Sequence, residues 1–307
     1  MPTVFPMRCC QPPKRNWACL TVSQGAIMNV REFVIPGSLR EARMVLKKLG
    51  EKGMAVAGAT ALHFYGSMEK TAVDITRLGL SGIKKKGGFF EIGATTTLAG
   101  LMKYKGAGWV LNRVAGRVST QQVRNISTVG GNIVRVFPWA DLPVALLALD
   151  ASFLVEGNKP WTIDADGFFK TQPANLFKTG DLLTKITAPA LKKGQGFGYR
   201  KENRVNAAFS MMTAAAVVTV KGGKIRAVRL AAGAGIPFPR RLTNVEAALI
   251  GQPADIGEVG AAVAEGIRGI SWKGKEGMSD EYAAQLARVT VADVLIEALQ
   301  QAKGEGV

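Results

Sequence analysis

Residues 121–149 read QQVRNISTVGGNIVRVFPWADLPVALLAL. The stretch has two unlike halves. Leu142 to Leu149 is unbroken apolar sequence, with Pro143 where a first helical turn would be and a missing N–H does no harm. That half predicts a buried helix, with Asp141 at its N-cap position. Asn125 to Val134 carries the pair Gly130-Gly131 and predicts a glycine turn. From Ser127 to Ile133 such a turn offers several backbone N–H groups with little side-chain obstruction.

A second glycine turn lies upstream. Met54 to Ala57 reads as a small buried strand and runs directly into Gly58-Ala59-Thr60-Ala61-Leu62. Thr60, Thr128 and Asn132 add side-chain donors. Each bend alone is compatible with a plain tight turn or with a ring of N–H dipoles around an anion. Two of them converging would suit the two phosphates of a dinucleotide. Neither contains Gly-x-Gly-x-x-Gly or Gly-Lys-Ser/Thr, so a Rossmann or P-loop assignment has no support.

Further elements flank these bends. Phe33-Val34-Ile35 reads as a strand ended by Pro36, and Ser38 as the N-cap of a helix to about Lys48. Residues 72–76 and 89–94 are strand candidates, 97–102 starts a short helix, and 109–123 looks helical. Phe153-Leu154-Val155 and Trp161-Thr162-Ile163 form a hairpin pattern, followed by a strand over 182–187. Residues 189–196 look like a junction. Beyond it come Phe197-Gly198-Tyr199-Arg200-Lys201, strands over 214–220 and 225–230, a helix through 245–249, and a long helix capped by Ser279. Short strands mixed with helices argue for α+β architecture.

The 307 residues suffice for two domains, and 47% hydrophobic with 21% charged residues is ordinary for a globular protein. The net charge of +17 could favour nucleic acid, an anionic cofactor or an acidic partner. Many lysines fall in turn-like runs, at 84–88, 192–194 and 221–224, and no recognition motif or aromatic interleaving points to nucleic acid. The three cysteines, Cys9, Cys10 and Cys19, all precede residue 28, and the one histidine is His63. His63 reads as a packing residue. The body therefore lacks the ligands for an iron–sulfur cluster or a His/Cys zinc site. Redox chemistry here would need an organic cofactor. Residues 1–27 are read as a disordered or artefactual N-terminal extension, because they lack the apolar run of a secretory signal. No run approaches a membrane span, and a cytoplasmic location is expected.

The string 121–149 resembles the flavoprotein signature of the xanthine dehydrogenase and carbon monoxide dehydrogenase (molybdenum hydroxylase) family. That pattern runs approximately Ile-Arg-Asn-x-Ala-Thr-Ile-Gly-Gly-Asn-Ile, then Ser-Pro-x-x-Asp-Leu-Pro-x-Ala-Leu-Leu-Ala-Leu. Ala57-Gly58-Ala59-Thr60 resembles the family's Ala-Gly-Gly-Thr loop, and Tyr199-Arg200-Lys201 with Arg204 its Tyr-Arg-Lys-x-x-x-Arg segment. Val73-Asp74-Ile75, Ile92 to Leu98, Ala232-Gly233, Pro239-Arg240, Glu246 and Ser279 to Tyr282 agree in order and spacing. The resemblance covers roughly residues 28–302. Ala59 stands where the family has a second glycine, Ala61 where a polar residue is common, and Phe137 where serine is usual.

The resemblance implies a two-lobed α+β FAD-binding domain of the PCMH/vanillyl-alcohol-oxidase-like type over 28–193. A smaller α+β C-terminal domain with an antiparallel sheet is expected over 197–303. It further implies that FAD is bound by Val56, Ala57, Gly58, Ala59, Thr60, Ala61 and Leu62, with Thr128, Gly130, Gly131 and Asn132, around the pyrophosphate. Asp141 would bond the ribose region, unless it is simply an N-cap. Ser119 and Leu183 would lie along the cofactor, and Arg200 near the flavin or its phosphates, unless it forms a surface ion pair. Molybdopterin and 2Fe-2S clusters would sit on a large and a small partner subunit. FAD would take electrons from those clusters and pass them to an acceptor such as NAD. The alternatives are a stand-alone flavin-dependent NAD(P)H reductase and a flavin-free scaffold subunit.

Overall fold

The computed structural model describes residues 3–6, 29–62, 69–275 and 277–304. Three sheets organise the chain. The first contains β1 (Thr3–Pro6), β2 (Asn29–Ile35), β3 (Gly53–Val56) and β4 (Glu69–Asp74), in the order β1-β2-β4-β3. β2 and β3 both run parallel to β4, which requires a crossover. Helix α1 (Leu39–Leu49) supplies it. Ser38 Oγ accepts from the Glu41 amide, and the Glu41 carboxylate accepts from the Gly37 amide, so α1 starts where the sequence places it. Ala42 and Leu46 bury its inner face.

The second sheet is antiparallel, in the order β5 (Ile83–Lys86), β6 (Phe89–Gly93), β9 (Leu182–Pro189), β7 (Ser152–Glu156), β8 (Trp161–Asp164). Between β6 and β7 run α2 (Leu98–Lys103), α3 (Leu111–Gly116), α4 (Gln121–Ile126), α5 (Val129–Val134) and α6 (Leu142–Ala148). Every residue of α6 is buried, as its unbroken apolar sequence requires. α7 (Ala165–Phe168) follows β8, and Phe153 stacks on Phe168 at 4.1 Å in the core.

The third sheet holds β10 (Gln195–Glu202), β11 (Met212–Lys221), β12 (Lys224–Gly233) and β13 (Arg240–Arg241), all antiparallel. α8 (Thr243–Leu249), α9 (Gly257–Gly266) and the 24-residue α10 (Asp280–Lys303) complete it. α10 lies close against β10. A Cβ on Gly196 or Gly198 would sit 1.9 Å from the carbonyl oxygen of Ala298 or Val294. The opposite side of this sheet packs on the preceding unit, since Phe197, Tyr199, Ala215 and Ala231 share a core with α6.

Four sequence expectations change. Residues 109–123 are two helices, not one, because Ser119 takes the left-handed conformation (φ 48°) between α3 and α4. Gly130-Gly131 is not a turn but the first turn of α5, capped by Thr128. Lys84 to Lys86 form strand β5, and only Gly87-Gly88 turn. Within the segment read as a disordered extension, Thr3–Pro6 pair antiparallel with β2; the remainder, like His63, lies outside the described residues. Helix α9 had no sequence expectation. Among the described residues no helix is long and apolar enough to cross a membrane, and no cluster of His, Cys, Asp and Glu could hold a metal.

Candidate functional site

The two glycine bends meet. β3 ends at Val56, whose carbonyl accepts from the Ile75 amide, and the chain then turns at Gly58. A Cβ on Gly58 would lie 2.0 Å from the Ile126 carbonyl oxygen, so only glycine permits this approach. Beside it, Thr60 Oγ1 and Ser127 Oγ are hydrogen-bonded at 2.7 Å. A cleft of 620 Å³ opens along this junction.

The two bends differ in what they offer. Ala59 has φ 54°, and Leu62 N–H donates to the Ala59 carbonyl. Among the described residues, the N–H groups of Gly58, Ala59, Thr60 and Ala61 find no acceptor. A run of open amides around a left-handed residue is an anion-binding concavity. At the second bend the amides are committed. Val129 donates to Thr96 O, Gly130 to Ala94 O, Gly131 to Thr128 Oγ1 and Asn132 to Thr128 O. Its contribution to the cleft is side chains. Ser127, Thr128 and Asn132 line it, and Asn132 Oδ1 is buried with no hydrogen-bond partner.

Of the fifteen residues singled out from sequence, twelve line this one cleft: Val56 to Leu62, Ser119, Thr128, Gly131, Asn132 and Asp141. Three do not. Gly130 packs against β6, where a Cβ would approach Ala94 O to 2.9 Å. Leu183 is buried in the hydrophobic core from β9. Arg200 turns to the other side of β10, where Glu297 of α10 pairs with both Arg200 and Arg113. This is the ion-pair alternative, and it follows from strand alternation. Gly196, Gly198 and Arg200 face α10, while Phe197, Tyr199 and Lys201 face the preceding unit.

Lys201 is therefore the buried cation of the cleft, whose lining also includes the exposed Lys178. Its side chain and that of Asp141 are each only 3% exposed, and Lys201 Nζ lies 2.9 Å from Asp141 Oδ2. Nζ also donates to the Arg117 carbonyl. Asp141 Oδ1 accepts from Ser210 Oγ at 2.5 Å and from Thr213 Oγ1 at 2.8 Å. Asp141 precedes α6 but makes no side-chain capping bond; its carboxylate instead joins the α6 end to the third sheet. Asp141 thus has three hydrogen-bond partners and Lys201 two, as a buried charge pair requires. Nearby, the Tyr199 hydroxyl is buried without a partner, and its pKa is pushed well above 10.0, first by burial and then by the Asp141 charge.

Aromatic residues complete the wall. Phe137 stacks on Trp139 at 5.2 Å, and Trp139 on Phe209 at 4.5 Å, so a loop from each unit meets over the cleft. In the sequence, Phe137 stands where serine is usual, Ser127 starts the second bend and Lys201 lies beside Arg200, but none of them, nor Trp139 or Phe209, falls in the expected cofactor set. Alternation along β10 puts Lys201 and Arg200 on opposite faces, but only the packing of α10 on Gly196 and Gly198 decides which one meets the cleft. Nothing local marks Phe137 and Phe209 as neighbours, 72 positions apart in sequence.

Residues 28–191 match the FAD binding domain in molybdopterin dehydrogenase, and residues 197–298 match the CO dehydrogenase flavoprotein C-terminal domain. The carbon monoxide dehydrogenase medium chain of Hydrogenophaga pseudoflava is 29% identical over 230 residues, covering 72% of this chain and 80% of that one. The 6-hydroxypseudooxynicotine dehydrogenase complex subunit alpha of Paenarthrobacter nicotinovorans is 27% identical over 284 residues, covering 89% and 95%. A solved carbon monoxide dehydrogenase from Hydrogenophaga pseudoflava superposes with a TM-score of 0.81 at 28% identity, over 89% of this chain and 98% of that chain. Quinoline 2-oxidoreductase from Pseudomonas putida 86 shares the fold at 21% identity, with a TM-score of 0.82. The chain belongs to the FAD-binding family of the molybdopterin dehydrogenases, as an oxidoreductase flavoprotein chain of the carbon monoxide dehydrogenase kind.

Proposed function

We propose that this chain holds FAD in the glycine-bend cleft and serves as the electron-transfer subunit of a molybdenum hydroxylase complex. The observation that carries the reading is the contact of Gly58 with Ile126, which sets four open amides beside Ser127, Thr128 and Asn132. These groups fit FAD. Gly58, Ala59, Thr60 and Ala61 N–H groups would hold the diphosphate, and the unpartnered Asn132 Oδ1 would accept from a hydroxyl or ring N–H. Bound there, FAD would supply the two-electron carrier that this chain's own side chains lack. Val56, Phe137, Trp139 and Phe209 exclude water along the wall, and the Asp141–Lys201 pair fixes the seam beneath it. No proton-transferring side chain is required of the chain for that task. Ser119 belongs to this cofactor-lining set, and the domain limits 28–193 and 197–303 are part of the proposal.

Two partner subunits complete the reading: a large one with molybdopterin and a small one with 2Fe-2S clusters. The names of the relatives support it, since one is a medium chain and the other a subunit of a dehydrogenase complex. Electrons would enter from the 2Fe-2S clusters and leave to an acceptor such as NAD.

The test is co-purification. The assembled complex should show one flavin per copy of this chain in its visible spectrum, and should reduce NAD with the organic substrate. A colourless, stable complex would sink the FAD assignment and favour the scaffold alternative. NAD(P)H oxidation by the isolated chain at the rate of the complex would favour the stand-alone reductase.

A further inference from the structure

A second cavity, of 530 Å³, opens at the seam between the FAD-type unit and the third sheet, and shares no lining residue with the glycine-bend cleft. Leu147 of α6, Phe169 and Ile270 give it apolar surface. Lys170, Arg240 and Arg241 stand around it, with Asp166 as its one carboxylate. Arg241 is committed, being paired with both Glu246 and Asp166. Asp166 is further shared with Arg229. Neither Lys170 nor Arg240 has a carboxylate within 4.0 Å among the described residues. The cavity thus carries two exposed positive charges, unpaired with any described carboxylate, beside apolar walls.

One wall is pre-set. It is the segment Ile236-Pro237-Phe238-Pro239 between β12 and β13. Ala234, at its root, is buried with φ 68°, a conformation that an L-residue keeps only when its surroundings enforce it. A Cβ on Gly235 would lie 2.6 Å from Met212 Cε, and the Gly235 carbonyl accepts from the Lys273 amide. Two prolines restrict the rest. Phe238 remains 37% exposed, presenting part of an aromatic ring to the opening. A wall already ordered before binding adds little entropic cost to ligand capture.

We infer that this cavity binds a small organic anion with a flat apolar body, an aromatic carboxylate being the simplest member of the class. A carboxylate matches the planar Arg240 fork, Lys170 supplies a second charge, and the ring lies against Phe238 and the apolar floor. An inorganic anion would leave that floor uncovered. The ligand would also touch both units at once. Leu147 and Asp141 stand at opposite ends of α6, so an occupant would brace the helix that carries Asp141 to the cleft.

The test is calorimetric titration of the full chain with phthalate, benzoate, benzyl alcohol and sulfate at matched ionic strength. Saturating FAD is present to keep probes out of the first cleft. The inference does not depend on how that cleft is used. Phthalate should saturate at one per chain, and benzoate should bind about tenfold more weakly for the loss of one charge-assisted contact. Benzyl alcohol should show no binding up to about 10 mM. Arg240→Gln and Lys170→Gln should each weaken phthalate about tenfold. Both side chains are exposed, so neither variant should lower Tm. The inference is overturned if phthalate fails to saturate, if it binds both variants as tightly as wild type, or if sulfate displaces it at equal concentration.

Discussion

Gly58 packs against the carbonyl of Ile126, where an added Cβ would sit 2.0 Å from the oxygen, beside the Thr60–Ser127 hydrogen bond that also joins the two glycine bends. Backbone stands on both sides, so no side chain can rotate away. Gly58→Ala should therefore push the bends apart and break the Thr60–Ser127 hydrogen bond. We expect a loss of about 1–3 kcal/mol in urea unfolding, and a purified protein depleted of flavin. Unchanged flavin content would separate the bend contact from cofactor retention.

Ala59 predicts the opposite sign. It holds φ 54° with its side chain exposed, where the family it resembles has glycine. Left-handed backbone costs an L-residue roughly 1–2 kcal/mol, while alanine restrains the unfolded chain by about 0.4–1 kcal/mol relative to glycine. The difference favours glycine. Ala59→Gly should leave Tm unchanged or raise it by a few degrees, and should not weaken FAD retention. A clear drop in Tm would mean that the methyl packs against something that strengthens the bend.

These bends also show what the sequence could and could not convey. Their glycines were legible, as was the apolar helix after them, because turn chemistry and periodicity are local. The fate of each amide was not. Gly130 looked like a phosphate-binding residue, yet its N–H is spent on Ala94 O, a partner that only the fold brings near. Arg200 and Lys201 differ by one position, and a strand sends such neighbours to opposite faces. Choosing between them required knowing that Gly196 and Gly198 clear a path for α10. In the aromatic stack Phe137 and Trp139 are close in sequence, but the stacking of Trp139 on Phe209 is tertiary, and no local pattern announces it.

That one-residue offset yields a paired prediction. Lys201 and Asp141 are buried together, whereas the Arg200 side chain is 42% exposed and shares Glu297 with Arg113. Removing one member of a buried pair strands the other charge and costs about 3–5 kcal/mol. Removing an exposed partner costs about 1 kcal/mol or less. Lys201→Met should thus destabilise far more than Arg200→Gln in urea melts. The double variant Lys201→Met with Asp141→Leu should recover part of the loss. Equal effects of Lys201→Met and Arg200→Gln would contradict the burial of the pair.

Tyr199 ties stability to pH at the alkaline end. Its hydroxyl is buried without a partner, and burial, reinforced by Asp141, raises its pKa well above the ordinary 10.0. In the unfolded chain the phenol ionises near that ordinary value. Between the two pKa values the folded state holds a proton that the unfolded state has released. Stability from this group is therefore complete below about pH 10 and falls as pH rises further. Tyr199→Phe removes that dependence. It also removes a hydroxyl that forms no bond, so at neutral pH it should cost nothing and can stabilise. Urea midpoints at about pH 7 and about pH 10.5 check both statements: wild type should lose more between them than the phenylalanine variant does. Parallel losses in the two proteins would show that the phenol ionises in the folded state as readily as it does in water, and that the hydroxyl reaches solvent.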